Sequence, residues 1–482
     1  MSAAISDLSK YLLGARKLLL DAAQDTVGIL EASRVVALAR AAEMLGHLAY
    51  RQDCRGRAEA AAQTQLLGAW RVAVTRMNAL DIEPPLSCAD NAGYPTAVAA
   101  FGALLNTLSQ QPAPSAPVSR LLRDCITNSI SIEYELLNEC DAGVRSLCEE
   151  AARQGSDERL PTPSADELTQ YLRGHVTDGE DARVLNVKRR DGVNSKAIFA
   201  LQVAGIPGWP EAVILRQDRR FKILQTSAAR EFALMKAIHA AGLPVPRPLW
   251  AELEAAPLRS PFLLLETLPG TTVIPTELGD HAAVLGAQMA KALAQIHRLP
   301  LNLPGLPAEA SPPGAGLSLM IETCYQRWQD SRLEPSLLID AGFAWLRTHA
   351  DVVDDSTALV HGDFDLRNIL VQGDAVSAVL DWELAHIGHP AEDLAYCRAD
   401  IVKLIPWEEF LRIYEAHGGP KIQPAVIDYF GVWASVFRTC TTMVAAGGYI
   451  DGKHQEMLLA CCAFIDYPTH RKAIGDLLLS AT

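Results

Sequence analysis

The chain has 482 residues, 49% of them hydrophobic and 21% charged, and 57 acidic against 43 basic side chains give a formal charge of −14. At ~150 residues per domain this length predicts about three folding units, and the apolar fraction excludes a mainly disordered chain. The acidic balance argues against a nucleic-acid or anionic-membrane surface as the main function, because phosphate contacts require clustered Lys and Arg.

The ten cysteines are scattered, and only Cys461 and Cys462 are adjacent. That spacing shows neither a zinc site nor a disulfide framework and fits a reducing compartment. The first segment carries Asp7 and Asp21 through its apolar stretches, unlike an export signal. The longest wholly apolar runs, Ala97–Leu105 and Met457–Ile465, are about half a membrane span. A soluble, cytoplasmic protein is expected.

Residues 1–150 are rich in Ala, Leu and Arg. Leu8, Leu12, Leu18, Val35, Leu38 and Leu45, and later Leu121, Leu122, Ile126 and Ile130, recur at helical spacing. Proline-rich breaks fall at Asp81–Pro95 and Gln110–Pro117. A helical bundle of unassigned role is expected, followed by a linker over 151–165. Next, Ser164 with Glu167 three positions on predicts a capped helix over Ser164–Arg173. Strand-like runs follow at Ala182–Lys188, Ala197–Val203 and Ala212–Arg216, with a turn at Gly192–Ser195. A helix is predicted over Thr226–Ala240 and a buried strand over Pro261–Thr267. Strand, turn, strand, strand, helix, strand describes an α+β lobe with an antiparallel sheet, spanning 166–270. From 271 to 482 the pattern is helical, interrupted by a strand-loop-strand section at Ala358–Asp381, with a surface loop over Leu299–Gly316.

The section Ala358–Glu383 reads ALVHGDFDLRNILVQGDAVSAVLDWE. Asp363 follows a short strand, and Asn368 stands five positions later at the entrance of a predicted hairpin whose exit delivers Asp381. Two oxygen donors side by side suit Mg²⁺, which takes carboxylate or amide ligands together with substrate phosphates. A third carboxylate on the preceding loop suits the task of orienting and deprotonating an attacking hydroxyl. Taken singly, each is a polar turn, a cap or a strand-end acid; the three at this spacing point to phosphoryl transfer.

HGDFDLRNIL followed by VLDWE resembles the aminoglycoside phosphotransferase and choline kinase-like family of small-molecule kinases, cousins of the protein kinases, over roughly residues 175–450. The resemblance implies a bilobal protein-kinase-like fold, a small antiparallel-sheet N-lobe and a helical C-lobe, here preceded by the all-α domain. It implies Asp363 as catalytic base, Asn368 and Asp381 as Mg²⁺ ligands, and His361 as a brace of the loop. Asp393, in AHIGHPAEDLAYC, falls at the position of a buried structural acid. Arg367 is read as a phosphate contact or a partner of the carboxylates, with a plain salt bridge as the even alternative. Glu383 is read as near the metal or as an ordinary hairpin-end acid.

In the N-lobe, Arg216 of AVILR falls where most kinases carry the lysine that grips the α- and β-phosphates, and Glu231 fits the acid that orients that cation. Asn194, Ser195 and Lys196 belong to the loop expected over the phosphates, although it lacks a three-glycine pattern. Glu266, Thr267 and Leu268 fall at the hinge and would line the adenine slot. His297 reads as a packing residue, and His386 and His389 lack further ligands for a metal. Trp433 and Phe437 fall where the family builds its acceptor pocket. The implied activity is transfer of the γ-phosphate of ATP (or GTP) to a hydroxyl of a small molecule. VILR, VPRP and DWELAHIG look closest to the branch associated with acyl-CoA dehydrogenases, which points to a hydroxyacyl-CoA acceptor beside sugar-like or antibiotic ones. The competing expectation is a non-catalytic nucleotide-binding scaffold. Oligomeric state is unreadable, with a homodimer as the working expectation from the added bundle.

Overall fold

In a computed structural model, residues 59, 62–89, 92–111, 114–141, 162–190, 196–218, 226, 228–254, 258, 260–272, 281–306, 313–451, 453 and 457–481 are described. The predicted helices before residue 59, most of the 151–165 linker and the Gly192–Ser195 turn, with Asn194 and Ser195, lie outside them. From residue 94 onward the helices and strands in chain order are α1 (Tyr94–Ser109), α2 (Ala116–Asp141), α3 (Ala165–His175), β1 (Arg183–Arg190), β2 (Lys196–Ala204) and β3 (Ala212–Asp218). Then follow α4 (Ala228–Ala240), β4 (Pro248–Glu252), β5 (Phe262–Glu266), β6 (Thr271–Thr272), α5 (Ala282–His297), α6 (Pro313–Ser331) and α7 (Leu337–Thr348). The rest are β7 (Ala358–Val360), β8 (Ile369–Gln372), β9 (Ala375–Val379), β10 (His386–Gly388), α8 (Ala391–Ile401), α9 (Trp407–Ala416), α10 (Pro424–Ile450) and α11 (Met457–Ala481). Among the described residues no helix is long and apolar enough to cross a membrane.

The chain divides into two compact units, each assembled from separate stretches. The first comprises Met1–Glu158, Leu317–Val353 and Gly431–Thr482, so part of the region read from sequence as one helical lobe groups with the N-terminal helices. Its apolar faces close over Phe101, Leu104, Leu105, Phe343 and Leu346, all buried. A buried ionic knot ties three of its helices together. Glu133 of α2 accepts from Ser336 Oγ at 2.8 Å and from the Leu338 amide at 2.9 Å, at the start of α7. Arg471 of α11 pairs with the same carboxylate at 2.5 Å and with Glu334 at 2.9 Å. Burying that guanidinium costs desolvation, which two carboxylates and their hydrogen bonds offset.

The second unit, Arg159–Gly316 and Asp354–Phe430, holds the candidate site. Its α3 opens with the predicted capping box: Ser164 Oγ accepts from the Glu167 amide, and the Glu167 carboxylate accepts from the Ser164 amide. The five-stranded antiparallel sheet has the order β1-β2-β3-β5-β4. Alternation along β2 and β3 sends Ala197, Phe199, Leu201, Val213 and Leu215 to one face, where they bury against Leu168, Tyr171 and Leu172 of α3. The opposite residues, Lys196 and Ile198, pair across the strands with Asp218 and Arg216 and occupy the other face. Edge strand β4 was not legible in the sequence. It starts at a proline, all five of its residues are half-buried, and it lacks alternation.

The predicted strand-loop-strand section forms as β7, a loop and the β8–β9 hairpin, with Ile369 opposite Val379. Hinge strand β6 adds to β8 through Thr271–Val371 and Thr272–Leu370. Gly270 makes this approach possible: its φ is +123° and a Cβ there would lie 2.7 Å from the Val371 carbonyl. The loop predicted over Leu299–Gly316 ends early, because α6 begins at Pro313, a residue type suited to a first helical turn.

Candidate active site

Asp363, Asn368 and Asp381 are brought together by backbone geometry. The Asn368 side chain donates from Nδ2 to Asp363 twice, to the backbone carbonyl and to Oδ2, both at 2.8 Å. Across the hairpin, the Leu380 amide donates to the Asn368 carbonyl at 2.8 Å, so Asp381 follows immediately beside it. Asp381 has φ +63° and ψ +67°, a left-handed conformation that a non-glycine residue holds only when its surroundings impose it. Its side chain is 26% exposed and that of Asp363 22%, so both carboxylates reach an opening.

From the sheet, Arg216 reaches this group. One of its nitrogens pairs with Glu231 Oε1 of α4 and another with Asp381 Oδ1, each at 2.6 Å. The sequence expectation joined Arg216 to Glu231; the bond to Asp381 is additional. Lys196 Nζ lies 2.8 Å from Asp218 Oδ1 and 3.0 Å from Glu383 Oε2, and is 7% exposed. Glu383, also held by Thr226 Oγ1 at 3.2 Å, is a buried partner of the sheet rather than an exposed hairpin-end acid.

Arg367 is 75% exposed and turns to Asp365, whose carboxylate caps the short 3₁₀ turn Leu366–Asn368; it approaches Asp363 only to 4.0 Å. Its ion-pair partner in this arrangement is Asp365. At the hinge, the Glu266 amide donates to the Arg247 carbonyl at 2.9 Å and the Thr267 amide to the Ala212 carbonyl at 3.2 Å. Leu268, half-buried, follows before the Pro269–Gly270 turn. The Thr267 hydroxyl is buried with no hydrogen-bond partner, an orphan of the kind a bound polar molecule satisfies. Trp433 and Phe437 lie in the first unit, their ring centroids 5.7 Å apart.

Beneath the loop, Asp393 organises the backbone. Its carboxylate accepts from the amides of His361 at 2.7 Å and Gly362 at 2.8 Å, and from His297 Nε2 at 3.0 Å. Burial works against its charge, but these donors hold its carboxyl below the usual range. Tyr414 extends the chain through its hydroxyl to His297 Nδ1 at 2.7 Å. His361 donates from Nε2 to the Leu380 carbonyl at 2.9 Å, bracing the loop against the hairpin as expected. His297, read from sequence as packing, is a hydrogen-bonding member of this network.

Tyr396 was missed. Its hydroxyl donates to Asp363 Oδ1 from the second turn of α8. Burial and the neighbouring Asp365 raise the Asp363 carboxyl above its ordinary value, opposed by this hydrogen bond. The only signal in the sequence was spacing: Tyr396 stands three residues after Asp393, one helical turn away.

Among the described residues, Asn368 spends its amide nitrogen on Asp363, leaving Oδ1 as the acceptor, and Arg216 takes Oδ1 of Asp381. One amide oxygen and one further carboxylate oxygen form a donor set that suits Mg²⁺ shared with phosphates. Among the described residues no group of three or more His, Cys, Asp or Glu side chains could hold a metal ion by itself.

A sheet lobe with a buried cation–acid pair, joined by a hinge to an His-Gly-Asp loop and hairpin, is the fold of the kinase-like phosphotransferases. Residues 191–430 match the Phosphotransferase enzyme family, and over that span the chain belongs to it. It is 31% identical over 240 residues to acyl-CoA dehydrogenase family member 11 of Rattus norvegicus, covering 48% of this chain and 30% of that protein. It is 27% identical over 276 residues to acyl-CoA dehydrogenase family member 10 of Mus musculus, covering 52% of this chain and 25% of that protein. The chain thus spans less than a third of the length of these relatives. A structure from Ralstonia eutropha, provisionally assigned as an aminoglycoside phosphotransferase, shares the fold with a TM-score of 0.52 at 19% identity, over 66% of this chain and 98% of that one.

Proposed function

We propose that the protein is a small-molecule kinase that transfers the γ-phosphate of ATP to a hydroxyl group. The observation that carries this reading is the convergence of Asp363, Asn368 and Asp381 at the end of one hairpin, with Arg216 reaching the same cluster from the sheet. In this reading Asp363 accepts the hydroxyl proton as the acceptor oxygen attacks the γ-phosphorus, and the bond to the β,γ-bridging oxygen breaks to release ADP. Asn368 and Asp381 hold Mg²⁺, which when bound neutralises phosphate charge. Arg216, oriented by Glu231, grips phosphate oxygens; a guanidinium does so in a bidentate manner where a lysine offers a point charge. Glu266, Thr267 and Leu268 line the adenine slot. Catalysis is then mostly positioning and charge neutralisation.

The relatives carry names of acyl-CoA dehydrogenase family members, which favours a hydroxyacyl-CoA over an antibiotic or a sugar. A scaffold that binds nucleotide without turnover draws on one observation, the Arg216–Asp381 ion pair on a metal-ligand candidate. The deciding experiment is ADP release across hydroxyacyl-CoAs, sugars, amino alcohols and antibiotics, with Asp363→Ala as control. Acceptor-dependent release that vanishes in the variant supports the kinase; Mg²⁺-dependent binding with no turnover on any acceptor supports the scaffold.

A further inference from the structure

Two cations and two carboxylates face each other here with matching spacing. Lys196 and Arg216 project from the same face of neighbouring strands, because Lys196 pairs with Asp218 and Ile198 with Arg216. The two cations are therefore diagonal neighbours, offset by two residues along the strands. Opposite them, Asp381 and Glu383 are likewise two residues apart. Arg216 takes Asp381 at 2.6 Å and Lys196 takes Glu383 at 3.0 Å, so each end of the turn is held by one strand. Between the two grips lies a backbone with φ +63° at Asp381. Such a conformation costs about 1–3 kcal/mol and persists only where its neighbours over-determine it.

From this geometry we infer that Lys196 is a positioning residue: by anchoring Glu383 to the sheet through Asp218, it holds the Asp381 turn in the left-handed conformation that presents its carboxylate. Its influence on the site runs through Glu383, not through contact with phosphate. Lys196 has little freedom to do otherwise, being 7% exposed with Asp218 at 2.8 Å. Burial opposes its charge, while Glu383 and Asp218 keep it protonated. Thr226, just ahead of α4, ties the same Glu383 oxygen at 3.2 Å and so adds the helix to the anchor. The relevance to metal presentation rests on the kinase reading, whereas the anchoring of the turn does not.

The test uses the full chain with Lys196→Met, Glu383→Gln and the charge-conserving Lys196→Arg. Hydrogen exchange over residues 380–384, without nucleotide, should quicken at least about tenfold in Lys196→Met and stay closer to wild type in Lys196→Arg, which can still bridge Asp218 and Glu383. A fluorescent ATP analogue, titrated with and without Mg²⁺, should lose about tenfold in its Mg²⁺-dependent gain in affinity while Mg²⁺-free affinity holds. Glu383→Gln keeps an acceptor for Lys196 and is expected to fold with an intermediate effect on both readouts. Unchanged exchange in Lys196→Met, or an equal loss of affinity with and without Mg²⁺, overturns the inference in favour of direct phosphate contact. If the wild type binds no nucleotide, the kinase reading fails, and the exchange measurement still decides the anchoring.

Discussion

Tyr396 and Asn368 hold the two oxygens of Asp363 between them, the phenol donating to Oδ1 and the amide to Oδ2. A carboxylate fixed at both oxygens has one orientation, which a base that must meet an incoming hydroxyl requires. Tyr396→Phe keeps the ring and removes the donor. In the proposed reaction kcat should fall about tenfold, with KM for ATP within about twofold of wild type, because the lost bond acts on the acceptor side. Asp363→Ala should lose about 10²–10⁴-fold and set the floor. Steady-state kinetics on the best acceptor check this, and an unaltered kcat in Tyr396→Phe would show the contact to be incidental.

Arg216 is 10% exposed and Glu231 3%, so the pair is a buried one. Removing one partner of such a pair strands the other charge and costs about 3–5 kcal/mol, whereas replacing both by apolar side chains is often neutral. Arg216→Met alone should therefore lower the melting temperature by on the order of 10 °C. The double variant Arg216→Met with Glu231→Leu should recover most of that loss while failing to bind ATP. Thermal unfolding with and without Mg²⁺ and nucleotide separates the two effects. Tight nucleotide binding by the double variant would remove Arg216 from the phosphate-gripping role.

Much of this site was legible because it is local. His361 to Asp381 span a loop and a hairpin whose register follows from short apolar runs and a Gly-Asp turn, so Asn368 and Asp381 could be placed side by side from spacing alone. The Arg216–Glu231 pair was an implication of the family resemblance, which sets a strand-borne cation against an acid of the next helix. What escaped depends on tertiary approach. Tyr396 reaches back to Asp363 from a later helix, Lys196 finds Glu383 across 186 intervening positions of chain folding that no periodicity encodes, and β4 is an edge strand lacking alternation. The division into two units escaped for the same reason: Leu317–Val353 and Gly431–Thr482 are helical by pattern, but pattern does not say which helices they bury against.

His386 supplies a pH signature. It lies in β10 with Glu392 at 3.3 Å and the Leu384 carbonyl at 3.0 Å. Burial disfavours its charge, yet Glu392, with a contribution from Asp393, raises its pKa from 6.5 to about 9. A pKa raised on folding gives stability that is complete below the unfolded value of 6.5 and is lost as pH climbs through about 9. The melting temperature should decline across that window, and His386→Gln should flatten the decline. Melting curves at stepped pH check this; an equal slope in the variant would assign the decline to other groups.

Asp393 and Gly362 allow charge and loop shape to be tested apart. In Asp393→Asn the amide can accept through only one oxygen, and its NH₂ must meet one of the three donors now served by the carboxylate, those of His361, Gly362 and His297. An unpaired buried donor and a lost charge-assisted bond should together cost about 3–5 kcal/mol. Gly362→Ala perturbs the same loop differently: φ is +81°, and the new Cβ would meet the Leu384 carbonyl at 2.9 Å. That strain is worth about 1–3 kcal/mol and is relieved by displacing the loop that carries Asp363. Asp393→Asn should therefore show the larger fall in melting temperature, whereas both variants should lower kcat by at least about tenfold. Near-normal turnover in a folded Gly362→Ala protein would mean that Asp363 does not depend on the tight turn before it, and with that the role given to Asp393 beneath the turn would fall.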